Sequence, residues 1–121
     1  MNTVKYSDLK TDKQRVQFLK DRLATNPRWI LKGLYTVYLR QTETEKVTGA
    51  TVEHNNVGFS SADSDILTSF AQQMVRRGFT TIKLKEYSDL ETFFSPKQVD
   101  ILTARLPKYA RQLMKISKNQ I

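Results

Sequence analysis

The 121-residue chain predicts a mostly α-helical single domain, a compact bundle of four to five helices with at most a small β-ribbon insertion. Three observations carry that expectation. Apolar residues recur at spacings of three and four along most of the length. Two prolines follow helix-capping residues, at Asn26-Pro27 and Ser95-Pro96, the arrangement that opens a helix. One run alone, Phe79 to Tyr87, alternates with the period of a strand.

Residues 1–10 form a polar lead-in, and Asp8 or Thr11 caps a first helix expected over about 11–25. Val16, Leu19 and Leu23 share one of its faces, beside Phe18. A second helix, expected over about 27–42, carries Trp29, Ile30, Leu31, Leu34, Tyr35, Val37, Tyr38 and Leu39 around most of its circumference. That makes it the central core helix, and Gly33 within it marks close packing at a cost in helix propensity. Regular periodicity fails from about Gln41 to Ser61, which reads as a long connection, with Glu43 and Glu45 able to extend the preceding helix.

Ser60-x-x-Asp63 resembles a capping box and opens a third helix that runs to about Arg77. Ile66, Leu67, Phe70 and Met74 point inward, and Gly78 stops it. Arg76 and Arg77 suit the negative end of the helix dipole or a phosphate contact. In the 79–87 run, Thr80, Ile82 and Leu84 oppose Thr81, Lys83 and Lys85, and a strand here pairs with residues near 46–58. Residues 88–94 read as a short helical turn.

The last quarter, Ser95 to Ile116, organises the chain. Ser95 and Gln98 form an S-x-x-Q capping box, with Pro96 at the first helical position. Val99, Leu102 and Leu106 lie on one face before Pro107 breaks the helix and opens a second segment. There Tyr109, Leu113 and Ile116 continue the apolar stripe. Lys108, Arg111, Lys115 and Lys118 share a neighbouring face, Arg105 adds a further cation, and only Asp100 opposes them.

A net charge of +8 favours a nucleic acid, an acidic protein surface or an anionic membrane as partner. The absence of cysteine excludes disulfides, cysteine-ligated zinc and thiol catalysis, and fits an intracellular, cytoplasmic protein. The N-terminal stretch has no secretory apolar core, and no apolar run is long enough to span a bilayer. His54 stands near Glu45, Glu53, Asp63 and Asp65, but no metal-ligand spacing or second histidine accompanies it. Carboxylates at a helix start are explained by the dipole alone. No phosphate-cradling glycine motif is present. No catalytic residue, metal or cofactor is therefore expected, and the protein is not expected to be an enzyme.

The basic face is the better candidate. Lys108 to Lys118 span about 15 Å of helix, enough to track several phosphates. Arg76, Arg77, Lys83 and Lys85 add to it, and Tyr87, Phe93, Phe94 and Tyr109 are the aromatics able to stack on bases, although Tyr109 shares the core stripe.

Three segments also resemble a loose group of small phage and mobile-element proteins. They are R-Q-T-x-x-E at Arg40 to Glu45, N-N-V-G-F-x-x-x-D at Asn55 to Asp63, and S-P-K-Q followed by L-P-K-Y-A-R-Q-L. The resemblance covers about Trp29 to Ile116, with 79–94 as an insertion. It implies a phage or plasmid origin and a role in DNA metabolism or in blocking a host defence, and it transfers no site residues. The expected function is thus non-catalytic nucleic-acid binding through the C-terminal basic helix. The alternative is an inhibitor of a host defence or nucleic-acid-processing complex, of anti-CRISPR or anti-restriction type, contacting its target through the 42–60 loop and the strand.

Overall fold

The computed structural model describes residues 6–48 and 58–117, and of 42–48 the backbone alone. Among these residues are five α-helices: α1 (Asp12–Thr25), α2 (Pro27–Thr48), α3 (Ser64–Arg76), α4 (Pro96–Arg105) and α5 (Ala110–Ser117). The expected helical bundle is present. Three 3₁₀ turns, Tyr6–Asp8, Thr81–Glu86 and Leu106–Tyr109, complete the order, and the described residues contain no strand.

Local chemistry sets most of the boundaries. Thr11 and Gln14 cap α1 reciprocally: the Gln14 N–H donates to Thr11 Oγ1 and the Thr11 N–H to Gln14 Oε1, both at 3.2 Å. Asn26 Oδ1 accepts the Arg28 N–H at 3.1 Å, and Pro27 takes the first position of α2, where a missing N–H costs nothing. At the other end of α3, Gly78 adopts φ +99°, so the Phe79 N–H reaches the Met74 carbonyl and the Gly78 N–H the Val75 carbonyl. This is a Schellman stop, and it depends on a residue without Cβ.

The core forms where α1, α2, α3 and the C-terminal segments converge. Ile30, Leu31, Leu34 and Val37 of α2 are buried against Leu19 and Leu23 of α1, Leu67 and Met74 of α3, and Leu102 and Leu106. Truncating one such leucine to alanine costs about 2–5 kcal/mol, because transfer energy and a residual cavity add. A Cβ at Gly33 would lie 2.7 Å from Leu23 Cδ2 and 3.3 Å from Leu113 Cδ1. Glycine there lets α1 and α5 close on α2, as its place in an apolar helix suggests.

The structure corrects four expectations. The long connection begins later than expected, because α2 continues to Thr48. Gln, Glu and Lys are good helix formers, and no glycine or proline interrupts them before Gly49. Residues 49–57, with His54 and the rest of the expected loop, lie outside the described residues. Second, Ser60-x-x-Asp63 is not a capping box. Asp63 itself occupies the N-cap position of α3 and makes no side-chain cap bond.

Third, the 79–87 run is helical. The Lys83 N–H bonds the Thr80 carbonyl at 3.2 Å and the Tyr87 N–H the Leu84 carbonyl at 3.3 Å, while Thr80 Oγ1 accepts the Ile82 N–H. Three residues per turn place Leu84 and Tyr87 inward and leave Ile82 92% exposed, opposite to the alternation read from the sequence. The Arg28 guanidinium pins this turn to α2 by donating to the Lys85 carbonyl at 2.8 Å and the Tyr87 carbonyl at 3.1 Å. The β-ribbon is thereby lost. Fourth, the deepest residues of α5 are Ala110 and Met114, whereas Leu113 and Ile116 are half-buried.

Pro107 does break the C-terminal helix. It sits in the 3₁₀ turn Leu106–Tyr109 between α4 and α5, and that turn packs on both, and on α1 and α2. Ser95 and Gln98 form the expected capping box, and Gln98 also exchanges hydrogen bonds with Gln73 of α3.

Candidate functional site

At Gly58 two buried glutamines hold the chain. The Gly58 N–H donates to Gln112 Oε1 at 2.8 Å, and Gln112 Nε2 donates back to the Gly58 carbonyl at 3.0 Å. The Phe59 N–H donates to Gln41 Oε1 at 2.9 Å, while Gln41 Nε2 donates to Thr68 Oγ1 at 3.1 Å. Buried amides of this kind are costly unless each is paired, and here they replace the ladder a regular element would supply. Gly58 has φ +94°, and a Cβ on it would meet Gln41 Cβ at 2.7 Å, so this approach requires glycine.

Five residues on, the Asp63 carboxylate is 2% exposed. Arg105 Nη1 donates to its Oδ1 at 2.7 Å. Lys108 Nζ pairs with Oδ2, and the Tyr109 hydroxyl donates to the same oxygen at 2.7 Å. The Ser60 N–H in turn donates to Tyr109 Oη at 3.1 Å. Burial pushes the Asp63 carboxyl up, but the bonds from Lys108, Tyr109 and Arg105 outweigh it and hold the group down at about 2. Burial and the neighbouring carboxylate push the Tyr109 phenol up to about 12. Asp63 therefore stays ionised and Tyr109 protonated across the physiological range. Their bonds lock α3, the Leu106–Tyr109 turn and the end of α4 to one another.

Above this joint lies a cleft of about 410 Å³. Gly58, Phe59 and Ser60 form one wall. Lys108, Arg111 and Lys115 line the other, with Tyr109 and Gln112 at its base. Among the described residues no carboxylate lines it, and the one carboxylate bonded to a lining cation, Asp63, is buried and shared between Arg105 and Lys108. Arg111 is exposed and Lys115 half-exposed, and among the described residues neither has a carboxylate partner.

The structure thus gathers three of the expected basic residues, Lys108, Arg111 and Lys115, at one cleft, with Arg105 beside them on Asp63. Lys118 lies outside the described residues. Arg76 lines a separate groove between α2 and α3, with Tyr35, Tyr38, Leu39 and Val75. Arg77 donates to the Phe93 carbonyl at 2.8 Å, which commits it to the fold. Lys83 and Lys85 are exposed on the Thr81–Glu86 turn. The expected base-stacking aromatics are not available. Phe93, Phe94 and Tyr109 are buried, and Tyr87 stacks on Phe79 with centroids 5.5 Å apart.

Sequence reasoning missed Gln41, Gln112 and the role of Asp63. The residues of the joint come from three separate stretches of sequence: Gln41 from R-Q-T, Gly58, Phe59 and Asp63 from N-N-V-G-F-x-x-x-D, and Lys108, Tyr109 and Gln112 from L-P-K-Y-A-R-Q-L. The fold brings these separate segments into one joint. Among the described residues no group of His, Cys, Asp or Glu is placed to hold a metal ion. None of their helices is long and apolar enough to cross a membrane. No protein-family model, curated protein or solved structure matches the chain.

Proposed function

We propose that the protein is a non-catalytic nucleic-acid-binding protein that meets phosphates at the cleft between residues 58–60 and α5. The observation that supports this reading is the concave face lined by Lys108, Arg111 and Lys115, whose nearest bonded carboxylate is buried and already neutralised. Such a face attracts an anion without first having to break an ion pair between Arg111 or Lys115 and a described residue. A phage or mobile-element origin and action in the cytoplasm of the host cell belong to the same proposal.

The test is fluorescence anisotropy with labelled DNA and RNA across a salt series. Each phosphate neutralised contributes about 0.7–0.9 to the log–log salt slope. The variant pair is Arg111→Glu with Lys115→Glu. Lys108 is left alone, because a carboxylate there would face Asp63 and disturb the joint. Binding should fall and the slope flatten by roughly 1.5 as two contacts are lost. No binding of any nucleic acid at the lowest salt would end this reading.

One observation favours a second reading, a surface for a protein of a host complex. Two of the three exposed large hydrophobic residues among those described, Leu39 and Val75, share the α2–α3 groove with Tyr35 and Tyr38. Leu39→Glu with Val75→Glu should abolish inhibition of such a complex and leave phosphate binding at the α5 cleft intact. A pair that lowers both would refute the separation of the two surfaces.

A further inference from the structure

The cleft's shape and its free valences narrow what it can hold. Its non-basic wall is already satisfied: the N–H groups of Gly58, Phe59 and Ser60 donate to Gln112, Gln41 and Tyr109. Phe59 and Tyr109 pack edge to face with centroids 5.7 Å apart and are 2% and 5% exposed, so neither offers a ring face to a base. The Ser60 hydroxyl is shared with Asp63 Oδ2 at 3.4 Å and Tyr109 Oη at 3.3 Å, so what remains for a ligand is the cationic wall. That wall binds phosphate, and the buried rings leave no aromatic platform on which a base could stack.

Geometry separates kinds of phosphate. A duplex presents its phosphodiesters on a convex rod, which matches a flat or grooved cationic surface better than a recess of about 410 Å³. A recess admits a group that protrudes. Charge points the same way. An internal phosphodiester carries one negative charge, whereas a terminal phosphomonoester carries about 1.5–2 at neutral pH and offers three acceptor oxygens. Arg111 and Lys115, the two lining cations not engaged with Asp63, match that charge, and Lys108 stands beside them. They lie four residues apart on α5, about 6 Å of helix rise, close enough to grip one phosphate from two sides.

Resting on the nucleic-acid reading above, we infer that this cleft takes the terminal phosphate of a nucleic-acid chain. The inference is one of binding and not of phosphate removal.

The experiment uses the full chain and three labelled oligonucleotides: a single strand with a 5′-phosphate, the same strand with a 5′-hydroxyl, and the blunt duplex of the phosphorylated strand. The label is placed at the 3′ end. The phosphorylated single strand should bind about tenfold more tightly than its hydroxyl twin, the scale of one added charge-assisted contact. That preference should shrink as pH falls through about 6, where the monoester takes up its second proton. Thymidine 5′-monophosphate should compete, and thymidine should not. Arg111→Gln with Lys115→Gln should remove the preference. Lys13→Gln with Lys20→Gln, which removes the same charge from exposed positions of α1, should keep it. Equal binding of phosphorylated and hydroxyl strands would overturn the inference and leave the nucleic-acid reading standing. Binding of none would overturn both. A preference lost equally in the α1 variant would trace it to net charge and overturn the assignment to the cleft.

Discussion

Replacing Asp63 by asparagine keeps the side chain's shape and removes its charge. The buried site then holds a neutral amide facing Arg105, Lys108 and the Tyr109 hydroxyl. Tyr109 can still donate to an amide oxygen, but the two cations lose their counter-charge. The size of the loss follows from the carboxyl group itself. In the fold it is held at about 2, against 3.8 for the ordinary group. At about 1.4 kcal/mol per unit, the folded state favours the ionised form by roughly 2 kcal/mol at neutral pH. Because the folded value is depressed, this contribution is present above pH 4 and lost as pH falls toward 2. About half of it is gone by pH 3. Urea unfolding followed by circular dichroism, on wild type and Asp63→Asn at pH 7 and pH 3, measures both quantities. The expected gap is about 2 kcal/mol at pH 7, a large share of the stability of a domain this size, narrowing to about 1 kcal/mol at pH 3. Other carboxylates titrate in both proteins and cancel in the difference. An unchanged midpoint at pH 7, or a gap that does not narrow on acidification, would refute the account of Asp63 as an ionised buried anchor.

Three further substitutions probe local structure. Gly58→Ala combines a positive φ with a Cβ placed 2.7 Å from Gln41 Cβ, and should cost about 2–4 kcal/mol in urea unfolding. A loss under 0.5 kcal/mol there would mean that the approach of residue 58 to α2 is not tight. Ser95→Ala removes one half of a capping box and should cost about 1 kcal/mol by the same assay, while Ile82→Ser, at a side chain in solvent, should fall within about 0.5 kcal/mol of wild type.

The parts of this molecule that could be read from the sequence are those whose causes are local. Thr11 with Gln14 and Ser95 with Gln98 lie three residues apart, so their capping boxes are written in adjacent letters. Gly78 stops α3 and Pro107 splits the last helix for reasons confined to a few bonds. The joint at Asp63 depends on pairing across 42 to 46 residues, and nothing near Asp63 tells a carboxylate aimed at Arg105 and Tyr109 from one capping its own helix. Gln41 and Gln112 carry no marker of burial, since glutamine usually lies at the surface. The 79–87 error has a different origin. Six alternating residues are too short to outweigh tertiary contacts: Leu84 and Tyr87, three apart, face the core, and Arg28 holds the carbonyls of Lys85 and Tyr87. The basic cleft was half legible: the spacing of Lys108, Arg111 and Lys115 placed them together, but the opposite wall comes from residues 58–60.

One small contact bears on how the chain can be rebuilt. The Tyr6 hydroxyl and Ser117 Oγ stand 2.8 Å apart, across 111 positions of sequence. The two edges of the described fold are therefore neighbours, and a short covalent bridge between them would span almost no distance in the folded protein. In the unfolded chain the same bridge would close a loop of more than 100 residues, removing conformational freedom worth roughly 5 kcal/mol. Cyclised at that point, the protein could be opened at another connection between its described helices, with their order permuted.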